Sequence, residues 1–178
     1  MESWGKEKVK KVTIVIPCYF NELNLWKTYQ VLKNDVLDKR VDINFEIICV
    51  DDGSKDRTLD ILLEIQKVEK RLKVIKFSKN FGEFRAILAG LEKATGDCIA
   101  VMSADLQDPP HLITEMIKAW ENGHKVVIAA RSGRNEPWLK KQLAHTYYWF
   151  LRKLVLKDFP RYGFDFFFDR SPSLTNIG

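Results

Sequence analysis

The sequence predicts an α/β protein built on a mostly parallel β-sheet that is flanked by helices. Short runs rich in valine, isoleucine and phenylalanine alternate along the chain with longer segments of helical periodicity. The short runs are apolar at almost every position, which is typical of strands that are covered on both faces of a sheet. Each run ends in a polar turn that leads into a helix, and repeated strand–helix units of this kind form parallel sheets.

Five strands and four helices follow from these two patterns. The strands are predicted at Val12–Ile16, Phe45–Val50, Leu72–Phe77, Cys98–Met102 and Lys125–Ala130. The helices are predicted at Asn21–Leu37, from Ser54 or Asp56 through Ile65, at Phe81–Ala94 and at His111–Asn122. Pro17 ends the first strand, and Ser54 or Asp56 is placed to cap the second helix.

Length and composition indicate one domain over residues 1–178, with a basic N-terminal tail at 1–11 and an irregular tail at 171–178. The net charge of +5 comes from dispersed basic residues without an aromatic-rich basic module, so no nucleic-acid partner is expected. Three cysteines lie in or beside strands without metal-ligand spacing, which predicts a reducing, cytoplasmic location. No apolar run approaches the roughly 18 residues of a membrane span.

Polar side chains follow every predicted strand at its carboxyl end. In chain order they are Tyr19, Asn21 and Glu22; Asp51 and Asp52; Lys79 and Asn80; Ser103, Asp105 and Gln107; and Arg131 with Arg134. Parallel strands would gather all five groups at one rim, where open α/β sheets bind their ligands. The sequence therefore predicts a binding cleft rather than five unrelated turns.

The fourth group has the chemistry of a divalent metal site. Asp105 and Gln107 offer a carboxylate and a carboxamide oxygen two residues apart, a pair that Mg²⁺ or Mn²⁺ can share with substrate phosphates. The alternative is an ordinary strand-to-helix turn, since Asp, Ser and Pro favour turns. Neither G-x-G-x-x-G nor G-x-x-x-x-G-K-[ST] is present, so a dinucleotide dehydrogenase and a P-loop nucleotidase are both disfavoured. The ligand that remains compatible with this rim is a nucleoside diphosphate held by carboxylates and a metal ion.

Four ordered motifs carry a family resemblance: VTIVIPCYFNE, VDDGSKDRT, FSKNFGEFRAILAGL and SADLQDPP. Together they resemble the inverting family-2 glycosyltransferases of GT-A fold, a Rossmann-like architecture. The closest branch is similar to polyprenyl-phosphate glycosyltransferases such as dolichyl-phosphate mannose synthases and bactoprenol glucosyltransferases. The later run at 164–170 resembles a strand segment of that family. The likeness extends over nearly the whole chain, from about Val12 to Arg170.

The resemblance implies roles for individual residues. Pro17, Tyr19 and Glu22 would line the nucleobase pocket, and Asp51 and Asp52 would face the base and ribose. The remaining implied nucleotide contacts are Lys79, Asn80, Ser103 and Ala104. Asp105 and Gln107 would hold Mg²⁺ or Mn²⁺ on the diphosphate of a nucleotide sugar, and this role would make Asp105 a catalytic residue. The expected nucleoside of the donor is uridine rather than guanosine. Arg131 would be the second catalytic residue, turned toward phosphate.

Two departures from the family pattern bear on activity. Ser103 stands where the family commonly has the first aspartate of its metal motif, and serine brings no charge. The chain ends soon after Arg170, whereas members of this branch continue further, so we expect a catalytic domain truncated at its C-terminus. A non-catalytic remnant that still binds nucleotide is the alternative to an active transferase.

The expected acceptor is a polyprenyl phosphate at the cytoplasmic face of the cell membrane. A lipid phosphate is already an anion and needs no general base, which agrees with three scattered histidines at 111, 124 and 145. Transfer to a saccharide hydroxyl is the alternative, and it would require a base such as Asp165. Residues 138–157 combine Trp, Tyr and Leu with interleaved basic residues, which suits either a membrane-surface helix or a helix packed on the sheet.

Overall fold

The computed structural model describes residues 9–107, 109–130 and 164–169, with the backbone alone described for 128–130 and 164–169. Six strands form one sheet: β1 (Lys11–Cys18), β2 (Asn44–Asp51), β3 (Leu72–Lys76), β4 (Cys98–Val101), β5 (Val126–Ala130) and β6 (Phe164–Asp169). Their order across the sheet is β3-β2-β1-β4-β6-β5. β1 to β4 pair in parallel, and β6 runs antiparallel to both β4 and β5.

Within the described residues, four α-helices connect the strands: α1 (Leu25–Leu32), α2 (Thr58–Val68), α3 (Glu83–Lys93) and α4 (His111–Glu121). The prediction of a mostly parallel sheet flanked by helices is confirmed, and each predicted strand is present within two residues of its expected bounds. The segment that resembled a later family strand is β6.

The first helix differs from its prediction. It begins at Leu25 rather than at Asn21, because the Asn21 side chain accepts a hydrogen bond from the Tyr19 amide and shapes a turn instead. Its last turn is a π-helix at Lys33–Leu37, a variation that apolar spacing does not reveal. The predicted cap of α2 at Ser54 or Asp56 is wrong in position, because the N-cap residue is Arg57; Asp56 precedes it, and its carboxylate accepts from the Thr58 amide at 3.1 Å.

Helices cover both faces of the sheet. The larger cluster packs α1, α2 and α4 on alternate residues of the strands, among them Ile14 and Ile47. On the other face, α3 packs against a second set that includes Val15 and Ile48. The approach of α3 is close, since a Cβ placed on Gly90 would lie 2.3 Å from Cγ1 of Val15. A methyl group at position 90 would therefore force the Val15 side chain to shift.

A buried carboxylate fixes the amino-terminal end of the central strands. Glu46 on β2 is 3% exposed and accepts hydrogen bonds from the Thr13 hydroxyl at 2.7 Å, the Thr95 amide at 2.8 Å and the Lys73 ammonium at 2.7 Å. Burial of a charge is costly unless it is hydrogen-bonded, and here several donors converge on it. The network joins β1, β2 and β3 to the turn before β4.

Candidate active site

The strand register brings four of the five predicted polar groups to one rim. Cys18 at the end of β1 pairs with Asp51 at the end of β2, and Asp51 pairs in turn with Lys76 at the end of β3. β4 pairs with β1 up to the Val15–Val101 pair, so its loop leaves from the same edge. The fifth group, Arg131 and Arg134, lies outside the described residues.

Hydrogen bonds join the loops after β1 and β2. The Ser54 hydroxyl accepts from the Phe20 amide at 3.1 Å, and the Glu22 carboxylate accepts from the Arg57 amide at 2.9 Å. The Glu22 carboxylate thus has a structural partner. The nucleobase role that the resemblance assigned to Glu22 stays a prediction.

Two aromatic rings project from the first of these loops. Tyr19 is 46% exposed, and its ring meets that of Phe20 edge-on with centroids 4.5 Å apart. Phe20 has a φ of 54°, a left-handed conformation that non-glycine residues adopt mainly where the surrounding structure enforces it. Pro17, the other member of the proposed base pocket, is half-buried at the same rim. An exposed aromatic pair of this kind offers a stacking surface for a base.

Asp51 has one carboxylate oxygen satisfied and one unsatisfied. Its side chain is fully buried, and Oδ1 accepts a hydrogen bond from the Ser54 amide at 3.1 Å. Oδ2 has no hydrogen-bond partner among the described residues. A buried acceptor without a donor costs roughly 1–3 kcal/mol. Because the side chain is fully buried, a ligand reaches Oδ2 only when the surrounding side chains move, and a hydrogen bond donated there would then remove that cost.

The neighbouring Asp52 is used differently. It is 2% exposed, and its two oxygens accept hydrogen bonds from the backbone amides of Phe81 at 2.7 Å and Gly82 at 2.9 Å. Asp52 therefore connects the end of β2 to the loop after β3. Its assignment to the base and ribose stays a prediction.

The loop after β3 carries Lys79 and Asn80, both exposed. It packs directly on Gly53, where a Cβ would lie 2.3 Å from the carbonyl carbon of Lys79. Gly53 also has a φ of 70°, so glycine is required for two reasons. Gly53 is not among the predicted site residues, although the D-D-G-S run signals a turn, because the close approach is a tertiary contact that no local pattern contains.

The loop after β4 holds the proposed metal ligands. The Thr28 hydroxyl on α1 donates to the carbonyl of buried Ala104 at 2.7 Å, and Leu106 takes a φ of 58°. Oδ1 of Asp105 accepts from the Gln107 amide at 3.1 Å, and the two side chains are hydrogen-bonded to each other. Ser103, at the start of this loop, is half-buried.

This loop fits a divalent ion. The described residues contain no group of three His, Cys, Asp or Glu side chains that would form a metal site by themselves. The Gln107 amide instead donates through Nε2 to Oδ2 of Asp105, so Oε1 of Gln107 joins the carboxylate on an ion only after the amide group turns over. Mg²⁺ is usually held by one or two protein oxygens, with waters and substrate phosphates completing its shell. The donor set therefore suits an ion that arrives with a diphosphate.

The fold is that of GT-A glycosyltransferases. The mannosyltransferase PcManGT from Pyrobaculum calidifontis, solved with GDP-Man and Mn²⁺, has a TM-score of 0.62 at 19% identity over 90% of this chain and 45% of that one. TarS of S. aureus, solved with UDP-GlcNAc, has a TM-score of 0.57 at 23% identity over 71% of this chain and 37% of that one.

The chain belongs to glycosyl transferase family 2, whose sequence profile matches residues 13–175. It is 46% identical to glycosyltransferase YkcC of Bacillus subtilis (strain 168) over 83% of this chain and 46% of that protein. It is 36% identical to undecaprenyl-phosphate 4-deoxy-4-formamido-L-arabinose transferase of Proteus mirabilis over 76% of this chain and 41% of that protein. The family and the fold expected from the four motifs are thus confirmed. The chain spans less than half the length of the curated relatives it matches.

Proposed function

We propose that this family 2 domain transfers a sugar from a uridine diphosphate sugar to a polyprenyl phosphate, with inversion at the anomeric carbon. The observation that carries the donor assignment is the buried, unpartnered Oδ2 of Asp51 at the rim. Uracil presents a single imide N–H between two carbonyls, which matches one free acceptor oxygen. Guanine presents two adjacent donors and would need both oxygens, and one lone pair of Oδ1 is already used by the Ser54 amide.

The other proposed donor contacts are supported by their exposure at the rim. Exposed Tyr19 would offer its ring to the base, and exposed Lys79 and Asn80 on the loop after β3 would meet the phosphates. Asp105 and Gln107 would hold Mg²⁺ or Mn²⁺ against the diphosphate. When bound, such an ion stabilises the negative charge that develops on the leaving diphosphate. The protein's own contribution is to fix the base, the carboxylate and the amide in one arrangement before the sugar reacts.

The proposed acceptor takes its support from the relatives. Several are undecaprenyl-phosphate transferases by name, including that of Proteus mirabilis. A phosphate monoester oxygen is an anion at neutral pH, so it attacks without a general base. The described histidines agree with this: His124 uses its ring nitrogen on the carbonyl of Ala119, and His111 begins α4. We propose Arg131 as the residue that meets the lipid phosphate.

We also propose that the domain works at the cytoplasmic face of the membrane, with residues 138–157 in contact with the lipid surface. Both this segment and Arg131 lie outside the described residues. Within the part of the chain that the structure describes, no helix has the length and apolarity needed to cross a bilayer. The basic and aromatic composition of 138–157 is therefore the support for surface contact.

Calorimetric titration with UDP, GDP and NAD tests the donor assignment. In the presence of Mg²⁺ we expect UDP to bind most tightly. Removal of the ion with EDTA should lower the affinity for UDP and leave the affinity for uridine unchanged. Tighter binding of NAD than of either diphosphate would refute the proposal. Equal binding of UDP with and without metal would refute the role of Asp105 and Gln107.

A further inference from the structure

Three successive backbone amides in the loop after β1 donate hydrogen bonds to side chains in the loop after β2. The amide and acceptor pairs are Phe20 with the Ser54 hydroxyl at 3.1 Å, Asn21 with the Thr58 hydroxyl at 2.8 Å, and Glu22 with the Asp56 carboxylate at 3.4 Å. The acceptors occupy alternate positions of the run S-K-D-R-T at 54–58. Backbone amides are obligatory donors, so the acceptors of this run determine the shape of the loop after β1.

We propose that Thr58 is a positioning residue for the donor base, since its hydroxyl holds the loop after β1 in the shape that presents the Tyr19 ring. The inference deepens the proposed function and rests on it. Thr58 is fully buried at the start of α2, and its hydroxyl accepts from the Asn21 amide. Burial raises the pKa of Asp56, but hydrogen bonds from the side chain and the amide of Thr58 outweigh burial and lower that pKa. The Thr58 hydroxyl is thus used within the protein, and Thr58 acts through the loop.

The loop shape that these bonds hold includes a strained residue. Phe20 has a φ of 54°, which a non-glycine residue keeps only where its surroundings enforce it. One hydrogen bond lies at its own amide and the next at the amide of Asn21, so the strained residue is held on both sides. Without the Thr58 acceptor, Phe20 is free to return to an ordinary φ. The Tyr19 ring, which meets the Phe20 ring edge-on at 4.5 Å, would then move with it.

Ser54 connects the same loop to Asp51. Its hydroxyl accepts from the Phe20 amide, and its own amide donates to Oδ1 of Asp51 at 3.1 Å. The aromatic pair and the buried carboxylate are therefore fixed relative to one segment. A base that stacks on Tyr19 and donates to Asp51 requires this fixed relation. Loss of the Thr58 hydroxyl should lower the affinity for the base, because the ring is then no longer held in place.

The test is a double-mutant cycle in the 178-residue chain, with uridine and UDP as probes. It compares wild type, Thr58→Val, Tyr19→Ala and the variant that carries both changes. Thr58→Val keeps the shape and removes the hydroxyl, whereas Thr58→Ser keeps the hydroxyl. Ser54→Ala removes the neighbouring acceptor at a half-buried position and repeats the cycle independently. Thr114→Val on α4 is the matched control, because the Thr114 hydroxyl has no partner among the described residues. Dissociation constants are measured by NMR titration with Mg²⁺, and circular dichroism melting shows that each variant is folded.

We expect Tyr19→Ala and Thr58→Val each to lower the affinity for uridine about fivefold or more, and Thr58→Ser and the control to lower it by less than about twofold. In the Tyr19→Ala background, Thr58→Val should lower it by less than about twofold further, because the ring that Thr58 positions is gone. A merely structural role would give the same factor in both backgrounds. Hydrogen exchange at the Asn21 amide should become faster in Thr58→Val and stay as in wild type in Thr58→Ser.

Three results would overturn the inference while the proposed function stands. Wild-type affinity for uridine in both Thr58→Val and Ser54→Ala would show that these acceptors do not position the base site. An equal loss from Thr58→Val with and without the Tyr19 ring would show that Thr58 does not act through that ring. A Thr58→Ser variant as weak as Thr58→Val would assign the effect to packing of the methyl group. Absence of binding of both uridine and UDP to wild type would instead refute the proposed function itself.

Discussion

Replacing Glu46 with glutamine should destabilise the protein at neutral pH and remove much of its acid sensitivity. Burial raises the pKa of this carboxyl group, but hydrogen bonds from Lys73, Thr13 and Thr95 outweigh burial and lower its pKa to about 2, against an ordinary value of 4.5. Glutamine has nearly the same shape but carries no charge. It would also turn an amide donor toward groups that are themselves donors.

The pKa difference sets the magnitude. A fall from 4.5 to about 2 corresponds to about 3 kcal/mol in favour of the folded state when Glu46 is ionised. Because the pKa is lowered on folding, this contribution is complete above the unfolded-state pKa and is lost as the pH falls toward the folded-state value. The stability difference between wild type and Glu46→Gln should therefore shrink from about 3 kcal/mol at pH 7 to about 1 kcal/mol at pH 3.

Urea denaturation followed by tryptophan fluorescence at pH 7, 5 and 3 measures this difference. Glu115→Gln is the matched control, since Glu115 is exposed on α4 and should leave the free energy of unfolding nearly unchanged. A Glu46→Gln difference that stays constant from pH 7 to pH 3 would refute the linkage argument. A difference below about 1 kcal/mol at pH 7 would mean that the buried network contributes no more than an ordinary hydrogen bond.

Three further predictions address the metal, the packing of α3 and the membrane. Asp105→Asn should weaken Mn²⁺-dependent UDP binding about tenfold, because hard cations depend on carboxylate charge, and Ser103→Asp should strengthen that binding. Equal Mn²⁺ affinity in wild type and Asp105→Asn would show that the loop after β4 is only a strand-to-helix turn. Gly90→Ala should cost about 1–3 kcal/mol in urea denaturation, since its methyl group would overlap Val15, and an unchanged midpoint would contradict that contact. Each basic residue near an anionic surface contributes about 1 kcal/mol to membrane binding, so charge reversal in the 138–157 segment should abolish co-sedimentation with anionic vesicles at low salt. Persistent co-sedimentation of the variant would contradict the proposed contact between this segment and the membrane. The residues to be replaced by glutamate are Lys140, Lys141, Arg152 and Lys153.

The strands and their common edge were predictable because both follow from local pattern. The run Cys98–Met102 is apolar at every position, as is typical of a short strand that is covered on both sides. Once parallel pairing is assumed, Asp51 and Asp105 must leave from the same edge. The chemistry of the rim was therefore predictable from the order of residues along the chain.

The distinction between Asp51 and Asp52 was not predictable, because it depends on contacts with distant residues. Asp52 accepts hydrogen bonds from the backbone amides of Phe81 and Gly82, which lie 29 and 30 residues further along the chain. The insertion of β6 between β4 and β5 is likewise a long-range pairing. Apolar periodicity identifies which residues are buried, but it contains no information on which buried segments become neighbours.

The central claim is that the unpartnered oxygen of Asp51 recognises the base of the donor. Asp51→Asn tests it most directly, because the shape is kept while the Oδ2 acceptor is replaced by an amide donor. Calorimetry with UDP and Mg²⁺, with Asp60→Asn as control, should show affinity at least about tenfold lower for Asp51→Asn, and uridine should weaken in parallel. Wild-type affinity for UDP in a folded Asp51→Asn protein would contradict the account.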